Sequence, residues 1–415
     1  MATGHKRSFA RGYFIKTNTM NPSRMWRSLD WTLLLAALML VLLGLATMKS
    51  FGAGGPASLA SLGRSGPSLG EDYFFIRQII WASAGAAVFF MSAIFIDWSF
   101  LKTNSIFLLI LYFILVGALI FLILTGYAVK GAASWLKIGG VTIEPVELLK
   151  PVSVLILAKY FSKRHVEIAR FVHLFISFVY VAVPMALVML QPDLGSAIVL
   201  GAIWLGMALV GGIKLRHLIV LFFTGLLITT VAWNFFLLPY QKTRITAFIN
   251  PQGDIRGAGY HAQQSVIAIG SWEIFGKGIG FGTQSRLEFL PEHETDFIFA
   301  AFAEEWGFLG VVFLLFFFSI IIWRVLRAGI YGESNFEKLY AAGLAILLLF
   351  QSAIHIGMNS GVLPITGLGM PFLSYGGSSL ISLFWALGIL ESFSLRKKGI
   401  FIGTENRFSE GILGA

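Results

Sequence analysis

The sequence predicts an all-α polytopic membrane protein with about ten transmembrane helices and a large extracellular loop between helices 7 and 8. Apolar residues make up 57% of the 415 residues and charged residues only 13%, against about 45–50% and about 25% in soluble proteins. The apolar residues also cluster in stretches of about 20, the length of a membrane-spanning helix. A soluble fold is therefore excluded, and the absence of cysteine excludes disulfides and thiolate chemistry.

The predicted spans follow one another through most of the chain. The fourth is the least hydrophobic because it begins at Pro145 and contains Glu147 and Lys150, and nine spans is the alternative without it. The polar segment 238–295, which we call the outer segment, forms the large loop after the seventh span. The spans lie near 29–48, 75–96, 104–126, 145–161, 172–190, 195–213, 217–237, 296–323, 338–359 and 371–393.

The distribution of basic residues predicts the orientation. Short loops on one side contain few basic residues, while most of the 31 Lys and Arg residues lie in the N-terminal stretch and in the loops of the other side. Cytoplasmic loops are enriched in Lys and Arg, so we expect both termini in the cytoplasm and no binding of nucleic acid. The predicted organisation is a cytoplasmic tail 1–28 without the features of a secretory signal, a transmembrane domain 29–395 and a cytoplasmic tail 396–415.

Ionisable residues inside apolar spans are costly and mark candidate functional positions. Glu147 and Lys150 lie three residues apart, so they share one helix face within reach of each other. One interpretation, which the spacing alone favours, is a buried ion pair that fixes the helix. The other is the charged wall of a substrate cavity.

Two further candidates lie in and just after the outer segment. The segment mixes Lys and Arg with glycine turns, as binding of a phosphorylated ligand requires, and a re-entrant packing segment is the equally weighted alternative. Asp296 opens the eighth span, where a helix N-terminus favours a negative charge. Composition alone favours that structural role over a general base or a metal ligand. Glu304 and Glu305 lie about 12 Å farther along the helix, and we expect them to pair with a basic residue of another span.

The fourth candidate is the segment 361–379, whose small residues and prolines predict a bend and close helix packing. The histidines His261, His293 and His355 do not have the spacing of zinc ligands, and no zinc-protease, nucleotide-binding or serine-hydrolase motif occurs. We therefore expect no zinc.

Four motifs occur in order along the chain: Gly131–Leu136 with Glu144–Lys150, then Gln191–Gly195, then Gly259–Phe299, and finally Leu363–Ser378. Together they resemble the RodA/FtsW/SpoVE family, called SEDS for shape, elongation, division and sporulation. The resemblance covers roughly residues 28–395. Segment 282–292 is more similar to the RodA, or elongation, branch than to the FtsW, or division, branch.

The resemblance implies a peptidoglycan glycosyltransferase that polymerises lipid II at the outer face of the bacterial plasma (inner) membrane. Its expected partner is a class B penicillin-binding protein, whose transpeptidase crosslinks the new strands. The resemblance assigns the family's essential aspartate to Asp296, its ion pair to Glu147 and Lys150, and its loop tryptophan to Trp135.

The implied leaving group is a lipid pyrophosphate, whose developing charge requires cations. Lys150, Lys242 and Arg244 are the expected substrate-binding cations, and a divalent ion, Mg²⁺ or Mn²⁺, held by Asp296 is the alternative. The chain departs from the family pattern without altering Asp296 or the ion pair. The departures are Ser134, Val146, Trp272-Glu273, Glu294 and His355.

Two other functions remain as hypotheses. A flippase or transporter of lipid-linked cell-wall precursors also uses intramembrane charges, but it needs a polar path through the whole membrane. A scaffold that only recruits the penicillin-binding protein needs no catalytic carboxylate. Because most polar groups lie near Asp296 on one side, the sequence favours the enzyme.

Overall fold

The computed structural model describes residues 27–52, 73–96, 98–125, 134–138, 141–164, 171–236, 242, 246–250, 257–287, 289–290 and 292–412. Nearly all of the predicted tail 1–28 lies outside the described residues, as does Arg244. Residues Asp30–Phe393 form one compact unit.

The described residues are mainly helical, and each predicted span corresponds to a helix. The helices are α1 (Trp31–Gly52), α2 (Tyr73–Phe95), α3 (Trp98–Thr103), α4 (Ser105–Thr125), α5 (Pro145–Lys163), α6 (Phe171–Leu190), α7 (Leu194–Val210), α8 (Leu215–Val231), α9 (Ala258–Gly270), α10 (Thr283–Arg286), α11 (Ile298–Ile330), α12 (Asn335–Asn359) and α13 (Gly377–Ile412).

Among the described residues, eight helices are long and apolar enough to cross a membrane. They are α1, α2, α4, α6, α8 together with the π-helix Ala232–Phe236 that continues it, α11, α12 and the first part of α13. The other two predicted spans are α7, which is apolar but has only 17 residues, and the charged helix α5. The predicted polytopic helical fold is confirmed. The tenth span begins at Gly377 rather than near residue 371, because residues 371–376 form turns instead of helix.

Helix α5 lies inside the bundle, and its residues are buried on nearly every side. Helices α4, α6, α7 and α12 pack against it. Because its polar side chains face protein rather than lipid, α5 needs less hydrophobicity than a lipid-exposed span. This location explains why it was the weakest of the predicted spans.

A short β-hairpin, which the sequence did not predict, precedes α5. Strands β1 (Leu136–Ile138) and β2 (Val141–Ile143) pair antiparallel, with Leu136 opposite Ile143. The hairpin leads directly into Glu144, the residue before α5. It thereby holds Glu144 and Trp135 at the same open end of the hairpin.

Helix α11 is broken at Gly307, where the backbone takes a positive φ of 68°. Part of the outer segment, residues 273–278, fills the break and supplies partners for the backbone groups that it frees. Two hydrogen bonds run from the outer segment to the helix: Lys277 N–H donates to the Glu304 carbonyl at 2.9 Å and Gly278 N–H to the Glu305 carbonyl at 3.1 Å. Two run the other way: Phe308 N–H donates to the Glu273 carbonyl at 3.0 Å and Leu309 N–H to the Ile274 carbonyl at 3.1 Å. This part of the outer segment therefore packs into the bundle, as the re-entrant alternative expects.

Candidate functional site

The N-terminal ends of α5, α7, α11 and α13 meet at one end of the bundle. These are the fourth, sixth, eighth and tenth predicted spans, and alternate spans of a polytopic protein run in the same direction. The four motifs identified in the sequence lie at these helix starts. Contacts between the motifs, described below, join them into one site.

The segment 360–376, which we call the α12–α13 loop, links three of the motifs. Leu368 packs so closely on Gly195 that a β-carbon at Gly195 would lie 2.6 Å from the Leu368 Cγ. On the other side of the loop, Ser374 Oγ donates a hydrogen bond of 2.8 Å to the Thr295 carbonyl. Just beyond the loop, the backbone N–H of Glu144 donates to the Ser378 hydroxyl at 3.0 Å.

Lys150 and Glu147 form the predicted pair in the buried core of this site. Lys150 Nζ lies 2.6 Å from Glu147 Oε1, and the lysine side chain is 0% exposed and the glutamate side chain 10% exposed. The charge of Lys150 also acts on the nearby carboxylates of Glu144 and Asp193. The Lys150 ammonium thus interacts electrostatically with several acidic groups and not with Glu147 alone.

Glu144 and Asp193 are members of the site that the sequence analysis did not select. Burial, with the neighbouring carboxylates of Glu147, Asp193 and Asp296, raises the pKa of Glu144 well above its ordinary value, and Lys150 opposes the shift. Burial also raises the pKa of Asp193, against the hydrogen bonds from Ser196. Burial and the concentration of acids at one end of the bundle therefore favour the protonated forms of Glu144 and Asp193 more than water would.

Asp193 also caps helix α7. Its side chain accepts a hydrogen bond from the backbone N–H of Ser196 at 2.9 Å, which satisfies one of the free amides at the helix start. The only sequence signal for this residue was its place in the Gln191–Gly195 motif. Its proximity to Lys150 depends on how α5 and α7 pack.

Asp296 stands in the turn before α11, beside the α12–α13 loop. A β-carbon at Gly367 would lie 3.7 Å from Asp296 Oδ2, and Gly367 has a positive φ of 76°. The Asp296 carbonyl accepts a hydrogen bond of 3.0 Å from the Asn359 side chain. Because the charge of Asp296 acts on Glu144, the structure brings it into the same cluster as Glu147 and Lys150.

The other predicted site residues lie at different distances from this cluster. Trp135 is partly buried and flanks Glu144 across the end of the hairpin. Lys242 stands over the Trp233 ring, 5.9 Å from its centroid, and no described contact joins it to the cluster. Arg244 falls outside the described residues.

The described residues contain no group of three or more His, Asp or Glu side chains arranged to hold a metal ion. A dedicated protein cage for a cation is therefore absent from this part of the chain. Mg²⁺ commonly binds through one or two carboxylates together with substrate phosphates, and Asp296 provides one such carboxylate.

Glu304 does not pair with another span, as the sequence analysis expected, but with the outer segment. Its Oε1 lies 2.6 Å from Lys277 Nζ and accepts hydrogen bonds from the Thr283 N–H (2.9 Å) and hydroxyl (2.8 Å). Glu305 instead accepts a 2.6 Å hydrogen bond from the Ser50 hydroxyl of α1. The outer segment that fills the break at Gly307 brings Lys277 and Thr283 to Glu304, and helical periodicity did not indicate these partners.

The family of the chain follows from its similarity to known proteins. The FTSW_RODA_SPOVE family profile, described as cell cycle protein, matches residues 30–399. The chain belongs to the FtsW/RodA/SpoVE family. The resemblance predicted from the sequence motifs is thereby confirmed.

Individual members of the FtsW/RodA/SpoVE family match over most of the chain. Stage V sporulation protein E of Bacillus subtilis is 34% identical over 329 residues, covering 78% of this chain and 88% of that protein. Peptidoglycan glycosyltransferase MrdB of Escherichia coli is 38% identical over 288 residues, covering 69% and 78%. A similar chain occurs in a solved structure that concerns the structural coordination of polymerization and crosslinking by a peptidoglycan synthase complex. It matches with a TM-score of 0.71 and 30% identity, and the match covers 89% of this chain and 98% of that chain. The predicted enzyme class agrees with the names of several relatives.

Proposed function

We propose that this chain is the peptidoglycan glycosyltransferase that polymerises lipid II into glycan strands, with Asp296 as its catalytic carboxylate. The observation that carries the proposal is the position of the α12–α13 loop, which lies against Asp296 at Gly367 and against the start of α7 at Gly195. Just beyond the loop, Ser378 accepts a hydrogen bond from the Glu144 N–H, directly before the helix that carries the buried Glu147–Lys150 pair. A carboxylate able to accept a proton and a buried cation able to bind phosphate thus lie in one site.

The reaction joins the acceptor sugar hydroxyl of one lipid-linked unit to the anomeric carbon of another. The new C–O bond forms as the bond from the anomeric carbon to the pyrophosphate oxygen breaks, and the hydroxyl proton passes to Asp296 as general base. The polyprenyl pyrophosphate leaves with the bonding electrons. Asp296 lies at a helix start beside a loop, a position that a membrane-anchored sugar can reach from the aqueous face.

Lys150 is the proposed cation for the pyrophosphate. An ammonium group carries three N–H donors, and the one hydrogen bond described for Lys150 is that to Glu147. We propose that the remaining donors bind phosphate oxygens once the substrate reaches this side chain, which is 0% exposed without it. A cation fixed in a water-poor site stabilises developing negative charge strongly. Glu147 then serves to hold the ammonium in place.

Trp135, Lys242 and Arg244 complete the proposed substrate contacts. Trp135 stands at the open end of the hairpin beside Glu144, where an indole ring offers an apolar surface and an N–H donor. Lys242 and Arg244 belong to the outer segment and are proposed as further cations for the pyrophosphate.

Asp296 as a ligand of Mg²⁺ or Mn²⁺ is the alternative to its role as general base. A divalent ion would supply charge neutralisation for the leaving pyrophosphate. The two roles separate if polymerisation is measured after chelation and again with added Mg²⁺ or Mn²⁺. A general base without a metal requires the rate to survive chelation, whereas a metal-ligand role requires loss and recovery.

The proposed setting is the plasma membrane, with both termini in the cytoplasm, the site at the outer face and a class B penicillin-binding protein as partner. The similarity to a chain of a peptidoglycan synthase complex supports such a partner. Within the family we propose the elongation branch. Segment 282–292 supports it, although relatives named FtsW also match at 34–37% identity. Restoration of rod shape in cells depleted of their own elongation enzyme tests the branch.

The second candidate function is a flippase of the same lipid-linked precursor. The buried pair Glu147–Lys150 is the observation that favours it, because a translocation path needs intramembrane charge. The grouping of acids at one end of the bundle supports the enzyme instead. Transfer of fluorescent lipid II across proteoliposomes containing the chain alone would favour the flippase.

The experiment that tests the proposed function measures glycan polymer formed from labelled lipid II by the chain co-purified with its penicillin-binding protein. We expect Asp296→Ala to abolish the polymer and the matched control Glu292→Gln, an exposed carboxylate in the same turn, to retain it. Polymer that persists in Asp296→Ala would leave a scaffold or a different catalytic residue as the explanation.

A further inference from the structure

Helix α11, which begins two residues after Asp296, has an N-cap residue whose side chain cannot cap it. Phe297 occupies the N-cap position and makes no side-chain hydrogen bond to the helix. The first four amides of a helix have no partner inside the helix, and an uncapped start frays more readily. Since Asp296 is attached to this start, its position depends on what holds the first turn of α11.

The missing cap is supplied by Asn359, the last residue of α12. Its Oδ1 accepts a hydrogen bond of 3.2 Å from the Ala300 N–H, the third residue of α11. Its Nδ2 donates to the Asp296 carbonyl at 3.0 Å and to the His355 carbonyl at 2.8 Å. One fully buried side chain thus binds the residue that carries the carboxylate and the helix that follows it.

Asn359 is itself held from the outer segment. The Ser265 hydroxyl of α9 donates to the Asn359 carbonyl at 2.8 Å. Asn359 therefore connects three elements, α9, α11 and α12, at the point where the backbone of Asp296 is fixed. Of the side chains of this size, only a carboxamide combines an acceptor with two donors, so the arrangement is specific to asparagine.

We propose that Asn359 is the positioning residue for Asp296: it caps α11 from a different helix and thereby holds the catalytic carboxylate in register with the substrate. This inference rests on the proposed function of Asp296. Asn359 does not meet the substrate, so its loss changes the turnover of bound lipid II rather than its binding. Misplacement of a reacting group by about 1 Å can cost about a hundredfold in rate.

The test uses the full chain co-purified with a class B penicillin-binding protein, with kcat and KM for lipid II measured for each variant. Asn359→Ala removes all the side-chain bonds. Asn359→Asp keeps the shape and the acceptor for Ala300 but replaces the donor to Asp296 with an oxygen. Ser360→Ala is the matched control, because the one hydrogen bond described for the Ser360 hydroxyl is to the Ile356 carbonyl of α12, at 2.7 Å, and not to α9 or α11.

We expect kcat to fall at least about tenfold in both Asn359 variants, with KM changed less than about twofold and with Ser360→Ala at wild-type values. Asp296→Asn, measured in parallel, separates the two proposals. If Asp296→Asn is inactive and both Asn359 variants keep the wild-type kcat, the positioning role is wrong and the proposed function stands. If Asp296→Asn is fully active, the proposed function fails and the inference with it. If neither Asn359→Ala nor Asn359→Asp folds, the residue serves global stability and the inference is overturned.

Discussion

A double-mutant cycle tests whether the ion pair Glu147–Lys150 is purely structural or also binds the substrate. The substitutions are Lys150→Met, Glu147→Gln and the two combined. Both single changes leave a buried group without its partner, since the pair is 2.6 Å long and its side chains are 0% and 10% exposed. Breaking a buried pair in this way typically costs about 3–5 kcal/mol.

The two single variants are not expected to be equal. Lys150→Met leaves Glu147 beside the carboxylates of Glu144 and Asp193, both of which Lys150 now offsets. Glu147→Gln leaves Lys150 with those two acids still near it and with an amide oxygen as acceptor. We therefore expect Lys150→Met near the upper end of the range, Glu147→Gln below it, and the combined variant within about 2 kcal/mol of wild type, because no unpaired charge of the pair remains.

Thermal unfolding of the purified chain in detergent gives the order of stabilities, and polymerisation of lipid II gives the functional result. If Lys150 binds pyrophosphate, the combined variant regains stability but stays inactive. A combined variant that is as unstable as Lys150→Met would refute the electrostatic account. A combined variant that regains both stability and activity would reduce the pair to a structural role.

Three smaller predictions concern other parts of the structure. The pKa of Glu144 is raised in the folded chain, so the folded chain keeps a proton that the unfolded chain releases. Stability therefore falls as pH rises above the unfolded pKa of about 4.3. The melting temperature of Glu144→Gln should equal that of wild type below this pH and exceed it at about pH 8. Gly195→Ala should lower polymerisation, because its β-carbon would lie 2.6 Å from the Leu368 Cγ and displace the α12–α13 loop; wild-type activity would contradict this contact. Gly307→Ala should destabilise the chain by about 1–3 kcal/mol through strain at its positive φ. The control Gly117→Ala, which has open space around its β-carbon, should not destabilise it, and thermal unfolding of both variants measures the difference.

The membrane-spanning helices could be predicted from the sequence because the bilayer sets their length and composition. Even α5 was found, although it is charged, since the stretch between Lys150 and Lys159 is uncharged and mainly apolar. The spacing of Glu147 and Lys150 on that helix predicted their contact, which depends only on local geometry. These features needed no knowledge of how the helices pack.

The membership of the site could be predicted only in part. Glu144 and Asp193 join it because α5, α7 and α11 begin at the same end of the bundle, and no local pattern marks those residues as neighbours. The partner of Glu304 was predicted wrongly because Gly307 breaks a run that is otherwise helical in composition. A single glycine inside an apolar stretch gives too weak a signal to predict a break, and the filling segment 273–278 lies about 30 residues away along the chain.

The central claim is that the Asp296 carboxylate performs chemistry on lipid II within this site. The most direct measurement is the rate of polymerisation by Asp296→Asn, which changes one oxygen to nitrogen, alongside its binding of lipid II. We predict that the rate falls by about 10²–10⁴-fold, the usual contribution of a general base, while lipid II binding is kept. A wild-type rate in Asp296→Asn would contradict the claim.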